Sequence, residues 1–220
     1  MIINSKFKIY PSIFIHIPKC GGSSIKIMLS DINDKKNIHS KLQDDFDKIK
    51  ENNSDFKKYF IFSMIRNPWD RMVSYYFFYK YTIKTNEKIS INAKKYDFND
   101  WLQIIHENKN DYYFVHENYL DYLTVDGIVF IDYLMNFHYF EDECNNLKKI
   151  LKINCENLHV NKTEHEYYKE YYSDKLIELV SNIYIKDIEY FNFDFNNEGQ
   201  MKEIKNNDKL KIISSKKLYI

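Results

Sequence analysis

The sequence predicts an α/β protein with a mostly parallel sheet, and three observations carry that prediction. Near-continuous apolar runs at residues 12–17 and 59–65 have the β-branched and aromatic content of strands buried on both faces. Each run ends in a helix-starting pattern, Gly21-Gly22-Ser23-Ser24 after the first and Asn67-Pro68 after the second. Apolar residues three and four apart follow each pattern, so strands and helices alternate along the chain.

Residues 12–17 form the first strand, and no strand is expected before it. Residues 24–31 form a helix with Ile25, Met28 and Leu29 on its buried stripe. A polar loop over residues 32–41 carries His39, and residues 44–51 form a short helix with Phe46 and Ile49 turned inward. The second strand, residues 59–65, runs into Arg66. There Asn67 suits an N-cap, Pro68 the first helical position and Asp70 the first turn. That helix extends to about residue 80, with Met72, Val73, Tyr76 and Tyr79 among its apolar positions.

Residues 99–108 read as a helix with Trp101, Leu102 and Ile105 on one side, and the Tyr-rich segment up to residue 126 fits no single pattern. Ile128-Val129-Phe130-Ile131-Asp132, after Gly127, is the expected third buried strand. Residues 141–151 are helical. Ser173 caps a longer helix through residue 187, with Leu176, Leu179, Val180, Ile183 and Tyr184 as its stripe. The alternating 190–195 segment is expected to pack on the domain edge. Residues 1–195 thus form one domain and residues 196–220 a polar, lysine-rich tail, read as a solvated charge run.

A chain of 220 residues with 44% hydrophobic and 29% charged content has enough apolar sequence for a sizeable core. Its formal net charge of zero gives no overall attraction for a polyanion, so no nucleic-acid partner is expected. Cys20, Cys144 and Cys155 are odd in number and contain no Cys-x-x-Cys pair, so neither a disulfide framework nor a zinc site is indicated and no metal is expected. No charged-then-apolar leader and no apolar run of membrane-spanning length is present, which makes a cytoplasmic location the expectation.

The chemistry concentrates where strands meet helices. The protein has only 4 glycines, and Gly21 and Gly22 stand side by side between the first strand and its helix. Glycine lets a backbone turn sharply and approach a ligand closely. The first N–H groups of a helix have no acceptor within it, and the helix dipole favours an anion there. Lys19 and the hydroxyls of Ser23 and Ser24 add charge and donors. The loop is not a Walker A motif, because Lys19 precedes the glycines instead of following them. Cys20, beside Lys19, is a small loop residue, with a nucleophilic role as the alternative. The second junction supplies Arg66, and Ser74 lies two helical turns past the cap Asn67. In a parallel sheet the strand C-terminal ends share one edge, where ligands bind. Two such junctions suit a ligand with two anionic groups.

Ile15-His16-Ile17-Pro18-Lys19-Cys20-Gly21-Gly22-Ser23-Ser24 and Arg66-Asn67-Pro68-Trp69-Asp70-Arg71-Met72-Val73-Ser74 resemble the two donor-binding motifs of carbohydrate sulfotransferases. The nearest group comprises the heparan sulfate 2-O-sulfotransferases, the chondroitin-type enzymes and their bacterial relatives. Leu158-His159-Val160-Asn161-Lys162-Thr163 and the 171–174 and 184–191 segments are similar to the family's C-terminal half, so the resemblance spans about residues 12–195. It implies a P-loop-like three-layer sandwich, a central mostly parallel sheet flanked by helices. It also implies 3′-phosphoadenosine 5′-phosphosulfate (PAPS) as sulfate donor and a glycan or other hydroxyl acceptor. On that resemblance Lys19, Cys20, Gly21, Gly22, Ser23 and Ser24 bind the 5′-phosphosulfate. Arg66 and Ser74 hold the 3′-phosphate, and Lys162 closes over the nucleotide.

Sulfuryl transfer asks the protein for positioning, charge stabilisation and a base. Lys19 stabilises the leaving group. Histidine suits a base working near neutral pH, and the resemblance places the base at His39, with His159 second. His16 reads as a buried strand histidine. Two rivals stay open. A P-loop kinase or NTPase would use Asp132, at the end of the expected third strand, to hold magnesium. A non-catalytic relative would bind nucleotide without transfer.

Overall fold

In the computed structural model, the residues described are 2–3, 11–29, 40–52, 56–82, 87–154 and 165–196. The chain begins with strands β1 (Ile2–Ile3) and β2 (Ser12–Ile15), then helices α1 (Gly22–Met28) and α2 (Leu42–Glu51). Strand β3 (Phe60–Ile65) leads into α3 (Pro68–Phe77), followed by α4 (Lys88–Lys95), α5 (Phe98–Glu107), α6 (Tyr113–His116) and α7 (Tyr119–Leu123). Strands β4 (Thr124–Val125), β5 (Ile128–Val129) and β6 (Tyr133–Asn136) come next, and α8 (Phe140–Leu151), α9 (Asp174–Ile183) and α10 (Ile185–Phe191) complete the order. These elements fall into two compact units, the first holding β1–β3, α1, α2, α7, β4–β6 and α8, the second α3–α6, α9 and α10.

The first unit holds a sheet of order β1-β2-β3-β6. β2, β3 and β6 are parallel, with Phe14 opposite Phe62 and Ile65 opposite Asn136. One face carries Phe14, Phe62, Met64 and Met135. It packs against Ile25, Met28 and Leu29 of the α1 segment and Phe140, Cys144, Leu147 and Leu151 of α8. The rings of Phe14 and Phe62 stack with centroids 5.2 Å apart. The other face, Ile13, Ile15, Ile61 and Ile65, is fully buried too. Burial on both faces is why these strands read as continuous apolar runs instead of alternating ones. Truncating Phe62 to alanine would cost about 3–5 kcal/mol through lost transfer energy and a cavity. An α/β architecture with a parallel sheet flanked by helices is therefore what the chain adopts.

Two strand assignments differ from the sequence reading. β1 pairs antiparallel with β2, adding an edge strand where none was expected. The third parallel strand is β6, not residues 128–132. Asp126 and Gly127 both take positive φ, 51° and 77°. That is the backbone of a tight two-residue hairpin, in which Asp-Gly is a favoured pair. The turn folds β5 back on β4 as a two-stranded antiparallel ribbon and leaves Ile128 65% exposed. Asp132 then lies at the start of the parallel strand. Its N–H donates to the Ile61 carbonyl at 2.7 Å, and its carboxylate accepts from the Ile61 N–H at 2.8 Å. It is thus at the sheet edge opposite the strand ends, away from where a magnesium-holding aspartate of a P-loop enzyme would follow its strand.

The second unit is built on α3, which is buried on nearly every side. Pro68, Trp69 and Arg71 through Phe77 are all inaccessible. Trp69 Nε1 donates to the Ile177 carbonyl of α9 at 3.0 Å, and the Tyr172 hydroxyl donates to the Trp69 carbonyl at 2.9 Å. After Phe77 the helix widens into a π-turn over Phe78–Thr82. α5 matches its expectation closely, with Trp101, Leu102 and Ile105 buried and an Asp97 cap accepting from the Asp100 N–H at 2.9 Å.

The helix expected over residues 173–187 divides at Tyr184. This fully buried ring sits under Arg71, its hydroxyl donates to the Val115 carbonyl, and its backbone (φ −112°, ψ 26°) breaks the helical run. Tyr190 and Phe191 close α10 instead of belonging to an alternating segment, and Asn192 caps it with φ 56°. No helix among the described residues is long and apolar enough to cross a membrane. Of the expected tail, residues 196–220, all but Asn196 lie outside the described residues.

Candidate active site

The turn after β2 has an unusual backbone. Lys19 takes φ 64° and Gly21 φ 76°, so two residues within three are left-handed, and one of them carries a side chain. A left-handed non-glycine residue costs on the order of 1–3 kcal/mol, and such strain clusters at functional sites. Gly21 is pinned between sheet-edge side chains: a Cβ added there would lie 2.9 Å from the Phe137 ring and 3.2 Å from Met64 Sδ. Gly22 has an ordinary backbone but no room. A Cβ there would come within 1.9 Å of the His16 imidazole. The glycine pair therefore serves two needs, left-handed backbone at Gly21 and close contact with a buried histidine at Gly22.

α1 begins directly from this turn. The Gly21 carbonyl accepts from the Ser24 N–H at 3.1 Å and the Ile25 N–H at 3.2 Å. The amides of Gly22 and Ser23 come earlier, where a helix offers no internal acceptor. Lys19 and Ser23 are half-buried, and Ser24 is buried. Cys20 is only 1% exposed, which makes it a packed loop residue and not an accessible thiol. His16, expected within the first strand, lies just past the end of β2; it is buried and stacks on Phe14 with centroids 5.8 Å apart. The Ser63 hydroxyl donates to the Ile15 carbonyl at 2.8 Å and ties the end of β2 to β3.

The loop after β6 completes this edge. Phe137 supplies the wall against Gly21, and His138 follows it, exposed, with its N–H held by the Asn136 side chain at 2.9 Å. Glu143 of α8 anchors the same segment. It accepts from the Asn136 N–H at 3.1 Å and from the Tyr133 hydroxyl, and desolvation together with this carboxylate raises the Tyr133 pKa. Sequence reasoning assigned nothing to Phe137 or His138, because their position depends on β6 being the third strand. Glu141, at the start of α8, is exposed.

The second junction lies in the other unit. Arg66 follows the last residue of β3, and Asn67 caps α3 as expected. Its side-chain oxygen accepts from the Trp69 N–H at 3.0 Å and the Asp70 N–H at 3.4 Å, while its amide donates to the Asp194 carbonyl at 3.1 Å. Arg66 is gripped by Asp70: Nε donates to Oδ2 at 2.6 Å and Nη2 to Oδ1 at 2.7 Å. The arginine-to-aspartate spacing of four residues is visible in the sequence, but Asp70 was read there only as an acidic first-turn residue. Ser74, one turn beyond Asp70, is buried.

Arg71, whose role the sequence left open, is fully buried. It donates from Nη1 to the Glu117 carbonyl at 2.9 Å and lies over the rings of Tyr75 and Tyr184 at 5.4 and 5.3 Å. His116 is largely buried; desolvation lowers its pKa, and its Nδ1 pairs with the Tyr112 carbonyl at 3.0 Å. His39, Lys162 and His159 lie outside the described residues. Among the described residues no group of three or more His, Cys, Asp or Glu is placed to hold a metal.

The strained lysine-glycine turn stands at the C-terminal edge of the parallel sheet, the edge at which open α/β proteins bind their ligands. The family can be stated directly. A model of the sulfotransferase family matches residues 2–194, and the chain belongs to that family. No curated protein and no solved structure matched the chain in the same comparisons.

Proposed function

We propose that this sulfotransferase moves a sulfuryl group from PAPS to a hydroxyl of a carbohydrate acceptor. The observation that carries the reading is the Lys19–Ser24 turn. Its left-handed Lys19 and Gly21 give a cationic, glycine-lined bend where a family member needs to hold a phosphosulfate. The donor supplies an activated sulfuryl group on a nucleotide that leaves as adenosine 3′,5′-bisphosphate.

In this reading Lys19 and the turn amides bind the 5′-phosphosulfate. Lys19 Nζ neutralises charge building on the bridging oxygen as the old S–O bond breaks. Arg66 and Ser74 hold the 3′-phosphate, and Lys162 closes over the nucleotide. His39 accepts the acceptor's hydroxyl proton as the new S–O bond forms, so the proton ends on imidazole and the electron pair of the broken bond on the leaving phosphate oxygen. No metal and no nucleic acid takes part, and the proposed location is cytoplasmic. Residues 1–195 are proposed as the catalytic domain and 196–220 as an appended polar tail.

The test is to incubate the full chain with a labelled-sulfate donor and a glycan panel and to identify products by mass spectrometry. Sulfated glycan is the expected result. Magnesium-dependent ATP hydrolysis without sulfation would favour the kinase or NTPase reading, and tight nucleotide binding without transfer to any acceptor would favour a non-catalytic relative. His39→Ala should abolish turnover while the bisphosphate still binds; near-normal turnover removes His39 as the base.

A further inference from the structure

We infer that the aromatic end of α3 is an acceptor subsite: Tyr81, backed by Phe77 and flanked by Lys80 and His165, is a platform on which a sugar ring of the acceptor stacks. This rests on the reading that the acceptor is a carbohydrate. The platform belongs to the second unit, and Phe77 stands three residues beyond Ser74 on the same face of α3.

The π-turn builds the platform. Hydrogen bonds in such a turn span five residues instead of four, a local widening found often at functional sites. Here it carries the chain from Phe78 to Thr82. Tyr81 lies along Phe77, four residues earlier, with ring centroids 5.7 Å apart and planes 25° from parallel. Phe77 is core, 6% exposed, whereas Tyr81 is 61% exposed. His165 stacks on Phe77 as well, at 4.8 Å and 11°, and Tyr171 meets Phe77 edge-on at 5.3 Å and 67°. An isolated exposed tyrosine is ordinary on a protein surface. A tyrosine held by a ring stack is a pre-formed surface, which loses little side-chain freedom on binding.

Polar groups flank the ring. Lys80 Nζ donates to the Tyr76 hydroxyl at 2.8 Å and lies 5.8 Å from the Tyr81 ring centroid. An ammonium has three donors, so this contact does not exhaust it. His165 Nδ1 meets the Glu166 carbonyl at 2.7 Å. A carbonyl only accepts, so Nδ1 is the donor and Nε2 the acceptor of the neutral imidazole. A donor and an acceptor beside an open aromatic face suit a sugar ring. The C–H groups of a sugar carry partial positive charge that meets the negative face of the aromatic ring. Its hydroxyls pair with both kinds of polar group. Asp97 lies close enough to act on the Lys80 ammonium, so the platform selects by ring face and hydroxyls more than by charge.

Steady-state kinetics of the full chain, with labelled PAPS and the glycan that the panel identifies, tests this. Tyr81→Ala is expected to raise the acceptor KM about tenfold at unchanged kcat, the pattern of lost uniform binding. Tyr81→Phe, which keeps the ring face, should stay within about twofold. Lys80→Met should raise KM about threefold. Calorimetric titration with adenosine 3′,5′-bisphosphate should give the wild-type Kd for each variant, and thermal melting verifies folding.

An unchanged acceptor KM in Tyr81→Ala, a loss in Tyr81→Phe as large as in Tyr81→Ala, or a parallel loss of bisphosphate affinity overturns the inference. If the wild-type chain sulfates no glycan, the carbohydrate reading fails and the platform with it. If it sulfates a glycan and Tyr81→Ala does so equally well, only the platform fails.

Discussion

The turn after β2 is shaped by what its residues lack, whereas the junction after β3 is shaped by what its side chains hold. At the first, two missing Cβ atoms admit a left-handed bend against Phe137 and a close contact with His16. At the second, Asn67 caps two amides, Pro68 presets the backbone and Asp70 locks Arg66. The difference teaches where each junction is fragile. A turn built on absence fails when an atom is added, and a junction built on contacts fails when one is removed.

The largest expected effect is on turnover alone. Lys19→Ala should lower kcat by about 10²–10³-fold, the usual cost of losing one charge-stabilising donor, with a near-native melt; a loss under tenfold in steady-state assays would remove Lys19 from the chemistry. Next in size is Gly22→Ala, which forces a Cβ into the His16 ring. Overpacking of this kind costs about 1–3 kcal/mol, worth about 2–4 °C per kcal/mol in a chain of this length. Combining it with His16→Ala should recover part of the loss in a thermal melt. If the paired variant melts no higher, the clash is not the reason Gly22 is needed.

Asn67→Ala should cost about 1 kcal/mol, typical of a lost N-cap, with Asn67→Asp close to wild type. A denaturant midpoint for the alanine variant as low as that of Gly22→Ala would erase the contrast between the junctions. The smallest effect has the opposite sign. Lys19→Gly relieves a left-handed backbone and should raise stability by up to about 1 kcal/mol, after the entropy that glycine loses on folding, while turnover falls with the lysine. A lower melting temperature would mean that the Lys19 side chain, not its backbone, sets the local balance.

Much of both junctions was legible because their chemistry is local. Gly21-Gly22 marks a bend and Asn67-Pro68 a helix start in any context, and both were placed within a residue or two. Part of the fold was not legible in the same way. The run at 128–132 looked like a buried strand, and only the left-handed Asp126-Gly127 pair turns it into a hairpin and passes the third strand to Tyr133–Asn136. The dipeptide signal was present but was overruled by hydrophobicity. Nothing in the sequence could show that His16 lies on Gly22, or that Phe137 backs Gly21, because those contacts exist only once the sheet has closed. The break at Tyr184 was hidden for the same reason: its cause is a buried ring that meets Arg71 and Val115, residues far away in sequence.

The burial of Cys20 gives this turn its own clock. The thiol is 1% exposed, one residue from Lys19 and from Gly21, and it takes part in no disulfide. A thiol reagent can reach it only when the turn opens, so labelling followed residue by residue counts opening events under native conditions. Cys144, buried on α8, labels on the timescale of opening in its own part of the core. The ratio of the two rates separates breathing of the turn from loosening of the sheet beneath it, without introducing a probe. A donor analogue that slows only the Cys20 reaction would report occupancy of the turn as a change in lifetime instead of a change in signal.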